Sequence, residues 1–159
     1  MAFHLASPSF EPDHDLPARF TCEGPDVSPP LEWADPPEGT KSFALVVDDP
    51  DAPDPRAPKM TWVHWVLYNL PADARALPEG VSAGSLPQGT REGRNDWKQP
   101  GWRGPAPPIG KHRYFFKLFA LDTTLADLGE AATKRELESA MAGHILGTAT
   151  IVGTYQKKG

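Results

Sequence analysis

One cysteine occurs in 159 residues, Cys22, and that scarcity excludes an intramolecular disulfide and any cysteine-based zinc cluster. It fits a reducing compartment. No apolar run approaches the roughly 20 residues of a membrane-spanning helix. The opening Met1-Ala2-Phe3-His4-Leu5-Ala6-Ser7-Pro8 lacks the basic start and apolar stretch of a secretory leader. A soluble, cytoplasmic protein with no transmembrane segment is expected. Basic residues are also short: 16 Lys and Arg against 21 Asp and Glu leave a net charge of −5, whereas a general nucleic-acid binder needs surplus cations to displace counterions from phosphates. No phosphate-cradling Gly-Lys-Ser/Thr loop appears.

What the chain has in quantity is punctuation. Nineteen prolines and fourteen glycines are spread between apolar runs, as in a protein of many short strands and ordered loops. The length suits a single domain over residues 1–159. Phe3 to Ser7 and Ala18 to Cys22 read as short strands, with Cys22 a small buried residue, and Ser28 to Trp33 reads as extended. Ser42 to Asp48 is nearly all apolar, the pattern of a central strand covered on both faces. Thr61 to Asn69 is a second long strand; strict alternation groups Trp62, His64, Val66 and Tyr68 on one face and Val63, Trp65 and Leu67 on the other. From His112, the same period groups His112, Tyr114, Phe116 and Leu118. Thr133-Lys134-Arg135-Glu136 reads as a capping box opening a short helix with Leu137, Ala140 and Met141 buried and Gly143 as its stop. Gly147 to Tyr155 reads as a closing strand. The segment from Gln88 to Lys111 is long for a loop; Trp97, Trp102 and Ile109 predict that it is packed and ordered.

Polar groups gather at the ends of the apolar runs. Asp49-Pro50-Asp51-Ala52-Pro53 follows one strand, His64 interrupts another, and Gly110-Lys111-His112-Arg113-Tyr114 opens a third. Together they read as the walls of one pocket. Each also has a purely structural reading: His64 as a core histidine satisfied by a backbone carbonyl, and Asp49-Pro50-Asp51 as a turn. His4, His14 and His144 show no partner pattern.

The segments Phe20-Thr21-Cys22-Glu23-Gly24, Ser28-Pro29-Pro30-Leu31-Glu32-Trp33, Asp49-Pro50-Asp51-Ala52-Pro53, His64-Trp65-Val66-Leu67-Tyr68-Asn69-Leu70-Pro71, Gly93-Arg94-Asn95-Asp96, Gly104-Pro105-Ala106-Pro107-Pro108 and Gly110-Lys111-His112-Arg113-Tyr114 occur in one order along nearly the whole chain. In these the chain resembles the phosphatidylethanolamine-binding protein family, in its bacterial branch of Raf-kinase-inhibitor-like proteins. Ala106 stands where bacterial members commonly have cysteine, and Trp102 where tyrosine is usual. The resemblance implies a mainly β fold, an antiparallel β-sandwich with a short helix toward the C-terminus and long ordered loops. It implies an anion pocket lined or flanked by Asp49, Asp51, Pro53, Trp62, His64, Gly104, His112 and Tyr114, a cis bond before Pro53, no cofactor, and often a homodimer. It further associates the family with inhibition of a kinase or protease partner.

In such a pocket, imidazoles, the Tyr114 hydroxyl and backbone N–H groups would donate to a small phosphorylated or carboxylated ligand, with Gly104 letting the backbone approach. Neighbouring carboxylates and a bound anion would raise the histidine pKa values. Asp49 or Asp51 would either hold a histidine protonated or receive the ammonium of a zwitterionic headgroup. Arg91, Arg94, Lys98, Arg103, Lys111 and Arg113 form a local basic excess that could steer anions inward. Two other classes stay open: a hydrolase or phosphoryl-transfer enzyme using the His and Asp groups, which lacks a nucleophile within these motifs, and a two-histidine, one-carboxylate metal site from His64, His112 and Asp49.

Overall fold

The computed structural model describes residues 2–81, 86–129 and 132–157. A three-stranded sheet is built from β1 (His4–Ala6), β2 (Leu31–Ala34) and β5 (Ala76–Leu77), in the order β1-β2-β5. A five-stranded sheet is built from β3 (Ser42–Ala52), β4 (Met60–Pro71), β6 (Arg91–Glu92), β7 (Lys111–Leu121) and β8 (Ile145–Gln156), in the order β6-β4-β3-β7-β8. All their strand pairs are antiparallel. One α-helix is present among the described residues, α1 (Lys134–Met141).

β3 lies at the middle of the larger sheet because its sequence leaves it no polar face. Phe43, Leu45 and Val47 point into the core between the sheets, against Leu31 and Trp33 of β2 and Phe116 and Leu118 of β7. Ala44 and Val46 point the other way, with Val66 and Tyr68 of β4 and Leu137 and Met141 of α1. Burying each large side chain contributes about 1.5–3 kcal/mol. Asp48, next on the helix side, is only 1% exposed. It is satisfied by Lys117 at 3.2 Å and Lys134 at 2.9 Å, which ties α1 to the sheet.

The expected helix forms with its cap: Thr133 Oγ1 accepts from Glu136 N–H at 3.2 Å. Gly143, just beyond it, sits at φ +82° in the left-handed region, a common way to end a helix. Leu137 and Met141 are buried as expected, while Ala140 is half-buried. The closing strand runs from Ile145 to Gln156, longer at both ends than the alternation indicated.

Three expectations need correction. Ala18 to Cys22 is not a strand; residues Ala18–Phe20 make a short 3-10 turn behind Pro17, whose ring restricts φ, and Thr21 Oγ1 closes it by donating to Ala18 O at 2.8 Å. Cys22 is therefore exposed. Ile109 is 55% exposed, although the segment around it is ordered. The facing of β4 also differs from strict alternation. Trp65 pairs with Val47, but Val63 pairs with Asp48, so β4 carries one extra residue at His64. Such a bulge shifts the alternation by one. Val63 consequently packs with Val66 and Tyr68 on the helix side, and Trp65 and Leu67 lie in the inter-sheet core with Tyr114.

Candidate functional site

Antiparallel pairing brings the C-terminal end of β3 and the N-terminal ends of β4 and β7 to the same end of the larger sheet. Register makes this concrete: Asp49 lies opposite Trp62, and Asp48 opposite Phe115. A cavity of about 290 Å³ opens there. β3 and its continuation supply Asp49, Ala52 and Pro53; β4 supplies Met60, Trp62 and His64; β7 supplies His112 and Tyr114. The fourth wall is Trp97, Ala106, Pro107 and Pro108 from the long segment. Buried Asn95 orders that segment, with Nδ2 donating to Gly101 O at 3.0 Å and Oδ1 accepting from Trp97 N–H at 3.0 Å. Asp96 fastens it to β4 by accepting from Val63 N–H at 2.7 Å. The peptide bond between Ala52 and Pro53 is cis, as the resemblance implied.

Six of the eight expected residues therefore line one cavity. Asp51 does not. Its carboxylate accepts from Arg113 N–H at 2.9 Å, Nε at 3.0 Å and Nη2 at 2.9 Å, and these bonds hold its pKa below the ordinary carboxylate value. Gly104 is also outside the lining. Its N–H donates to Asp26 Oδ1 at 2.8 Å, and a Cβ there would collide with the Phe20 carbonyl oxygen. The close approach that calls for glycine is to the 3-10 turn, not to a ligand. Met60 and Trp97 were not expected to line a site. Trp97 stands edge-on to Trp62 at 5.6 Å and to His64 at 5.0 Å, and a tryptophan two residues from a buried Asn anchor was the available signal.

The inner polar groups are arranged so that most are already satisfied. His112 Nδ1 meets Asp49 Oδ2 at 2.6 Å, and its Nε2 donates to Ile109 O at 2.8 Å. Asp49 Oδ1 accepts from Asp51 N–H at 2.7 Å, so the turn reading of Asp49-Pro50-Asp51 and the pocket reading both apply. Desolvation raises the Asp49 pKa, against the hydrogen bonds from His112 and the Asp51 backbone. His64 likewise satisfies both readings: it lines the cavity, and its Nδ1 donates to Arg103 O at 2.6 Å. Its pKa moves opposite to the expectation, down to about 4, because burial disfavours the imidazolium.

The Tyr114 hydroxyl is buried without a hydrogen-bond partner among the described residues. Burial, then the Asp49 carboxylate, keep it protonated by raising its pKa.

Of the six basic residues nearby, Arg91, Lys111 and Arg113 pair with Asp127, Asp15 and Asp51. Arg103 lies over the Trp97 ring at 5.1 Å. His144, with no partner pattern in the sequence, meets Asp122 at 2.8 Å on the surface.

Two alternative chemistries meet specific obstacles. Both nitrogens of His112 and one of His64 are bonded to protein atoms, and no cluster of three His, Cys, Asp or Glu groups among the described residues could hold a metal ion. No Ser, Thr, Cys or Lys is among the cavity's described lining residues. Gly80-Val81-Ser82-Ala83-Gly84 does carry the Gly-x-Ser-x-Gly spacing, which sequence reasoning passed over. Ser82 lies outside the described residues. A nucleophile elbow joins a strand to a helix; the strand before Ser82, β5, has two residues, and no α-helix precedes α1 among the described residues.

The family model for phosphatidylethanolamine-binding protein matches residues 6–156. A UPF0098 protein of Methanothermobacter thermautotrophicus is 46% identical over 155 residues, 97% of this chain and 99% of its own length. The crystal structure of a phosphatidylethanolamine-binding protein homologue from Chlamydia trachomatis superposes with a TM-score of 0.88 at 38% identity, covering 99% of both chains. That of YbcL from E. coli, described as a member of the mammalian PEBP family, gives 0.90 at 33% identity, covering 99% of this chain and 100% of its own. With its mainly antiparallel β architecture and single short α-helix among the described residues, the chain belongs to the phosphatidylethanolamine-binding protein family.

Proposed function

We propose that the protein is a non-enzymatic binding module that takes a small phosphorylated or carboxylated ligand in the cavity between Asp49, His64, His112 and Tyr114. The observation that carries this reading is the Tyr114 hydroxyl, buried, protonated and without a partner among the described residues, at the wall of an open cavity. A buried hydroxyl left unbonded costs about 1–3 kcal/mol, and a ligand oxygen would relieve that cost. Arg103 at the adjoining wall supplies positive potential. The family takes its name from binding phosphatidylethanolamine, a zwitterionic phospholipid, and an ammonium directed at Asp49 would suit such a headgroup.

Through the same surface the protein would regulate a kinase or protease partner, as the family resemblance implies. The exposed Met60 and Ile109, 46% and 55% accessible, supply apolar contact near the cavity, Met60 within its lining and Ile109 against His112.

Calorimetric titration of inorganic phosphate and phosphoethanolamine into wild type and Tyr114→Phe tests the ligand assignment. The variant keeps the ring and removes one donor, so phosphate affinity should fall by about tenfold or more, in line with a hydrogen bond to a charged group. Equal affinity in the two proteins would place the anion elsewhere.

A further inference from the structure

The large apolar side chains exposed among the described residues fall at the two ends of the larger sheet. Ile145 and Leu146 lie where β8 starts, against the end of β7 at Leu121. Met60 and Ile109 lie at the other end, where the cavity opens, Met60 in its lining and Ile109 with its carbonyl bonded to His112. Two loops make that part of the rim, residues 53–59 between β3 and β4 and residues 103–110 before β7. They touch, since a Cβ on Gly110 would stand 3.1 Å from Pro55 Cδ. Ala57, Pro58, Ala106 and Pro108 are exposed on the same loops. The apolar surface at the mouth is therefore a cluster, unlike the single exposed residues that any protein carries.

Charge on these loops has one sign. From Pro55 to Met60 and from Arg103 to Gly110 there is no acidic residue, while Arg56, Lys59 and Arg103 are exposed. None of the three joins the ion pairs that Arg and Lys make among the described residues. Asp54, just ahead of them, is half-buried and closes the turn by accepting from Arg56 N–H at 3.0 Å. On the Trp97 side, Asp96 is bonded to the Val63 backbone and has Lys98 close in sequence. In a chain of net charge −5, this rim is locally cationic. Pro53, Pro55 and Pro58 in one loop and Pro105, Pro107 and Pro108 in the other each fix a φ angle. Such loops have little freedom to lose when they meet a surface.

The cavity behind the rim sets a third condition. At about 290 Å³ it stands at the small end of ligand pockets, with room for a phospholipid headgroup and none for the two acyl chains attached to it. A headgroup held there keeps its chains in the bilayer, so the mouth must come to the bilayer surface. We propose that the rim, on the headgroup reading given above, is a membrane-docking face that binds the headgroup in place without extracting the lipid. Met60 and Ile109 enter the boundary between headgroups and acyl chains, and Arg56, Lys59 and Arg103 lie against the phosphates of an anionic leaflet. Apolar burial and attraction to anionic lipid are the two signals that together give stable peripheral binding. The Ile145 and Leu146 end has an apolar pair beside the acidic Asp122, and it supplies the internal control.

The experiment is co-sedimentation of the full chain with vesicles of phosphatidylethanolamine and phosphatidylglycerol, and with vesicles of phosphatidylcholine alone, beside calorimetric titration of soluble phosphoethanolamine. Wild type should sediment with the anionic vesicles, less with phosphatidylcholine, and less as salt screens the cations. Arg56→Gln combined with Lys59→Gln should weaken anionic-vesicle binding about 25-fold, roughly fivefold for each cation at an anionic surface. Ile109→Ser should weaken it about fivefold through lost apolar burial. None of these side chains lines the cavity, so phosphoethanolamine affinity should stay unchanged in both variants. Leu146→Ser should alter neither readout. Phosphoethanolamine binding without vesicle binding would overturn the docking face and assign the rim to a protein partner, leaving the pocket reading intact. Equal vesicle binding by wild type and the rim variants would overturn it too. Vesicle binding that depends on the rim, with no binding of phosphoethanolamine, would keep the docking face and overturn the pocket reading. Failure of both ligands to bind would overturn both.

Discussion

Asp49 and Asp51 are separated by one proline on one strand, yet their environments have opposite electrostatic character. Asp49 is sealed against His112 at the cavity wall, 2.6 Å apart with both side chains buried. Its pKa is raised by desolvation. Asp51 faces the other way, held by three bonds from Arg113, whose side chain is 55% exposed. Its pKa is lowered by those bonds. A register shift between Asp49 and Ala52 turns the chain between them, and the Asp51 N–H bonded to Asp49 Oδ1 fixes that turn. The lesson is that a carboxylate's charge becomes available to a ligand where its partner is a buried, neutralisable group, and is consumed structurally where the partner is a permanently charged guanidinium.

Breaking each pair should separate them most plainly in stability. His112→Ala leaves a buried carboxylate without its partner and the Ile109 carbonyl without a donor, so a loss of about 3–5 kcal/mol is expected in urea denaturation at pH 7. Arg113→Ala removes a largely solvent-exposed partner, and the expected loss is about 1 kcal/mol or less. Equal losses would mean that burial does not distinguish the pairs.

The pH dependence of stability should sharpen the contrast. Asp51 has a folded pKa below its unfolded value, so its contribution is present above the unfolded value, near pH 4, and is lost as pH falls through the lower folded value. Asp49 has a raised folded pKa, so its contribution is fully present below the unfolded value and is lost as pH rises through the folded one. His64, depressed to about 4 from 6.5, contributes a stability present above pH 6.5 and lost on the way down to about pH 4, on the order of 3 kcal/mol. Urea midpoints should accordingly flatten between pH 6.5 and 4 in His64→Gln. Asp51→Asn should flatten the limb below pH 4, and Asp49→Asn should remove a component of opposite slope. Superimposable wild-type and His64→Gln profiles above pH 4 would show that His64 is not held neutral by the fold.

Much of this architecture was legible in the sequence. The apolar run of β3 announced a strand with two buried faces, the Thr133 to Glu136 pattern announced the helix, and period two in β7 put His112 beside Tyr114. What alternation could not show was the extra residue at His64, because a bulge is set by pairing with β3 rather than by β4's own pattern. That bulge puts Val63 on the helix side and leaves Trp65 in the inter-sheet core. Asp51 was misplaced for a related reason: residues two apart share a face only while the strand stays regular. Gly104 looked like a ligand contact because its requirement for a close approach was visible, whereas the approaching group, the Phe20 carbonyl, was a tertiary fact. Nor could the sequence show that His112 is bonded through both nitrogens.

The smallest expected effect is on ligand preference, and it uses the two aspartates against each other. Within the proposed pocket, a unit charge about 5 Å from a phosphate is opposed by a few kcal/mol at an effective dielectric of about 20 when both are negative, and proton sharing with His112 reduces that substantially. Asp49→Asn keeps the volume and an acceptor for His112 Nδ1 while removing the charge. Inorganic phosphate should then bind several-fold more tightly, whereas phosphoethanolamine, deprived of the anion opposite its ammonium, should gain less or lose. The ratio of the two affinities should therefore fall several-fold toward phosphate. Asp51→Asn, outside the cavity and beside Arg113, should leave that ratio unchanged. Calorimetry on the two variants reads the difference directly, and an equal change in both would mean that Asp49 acts only by holding His112 in place.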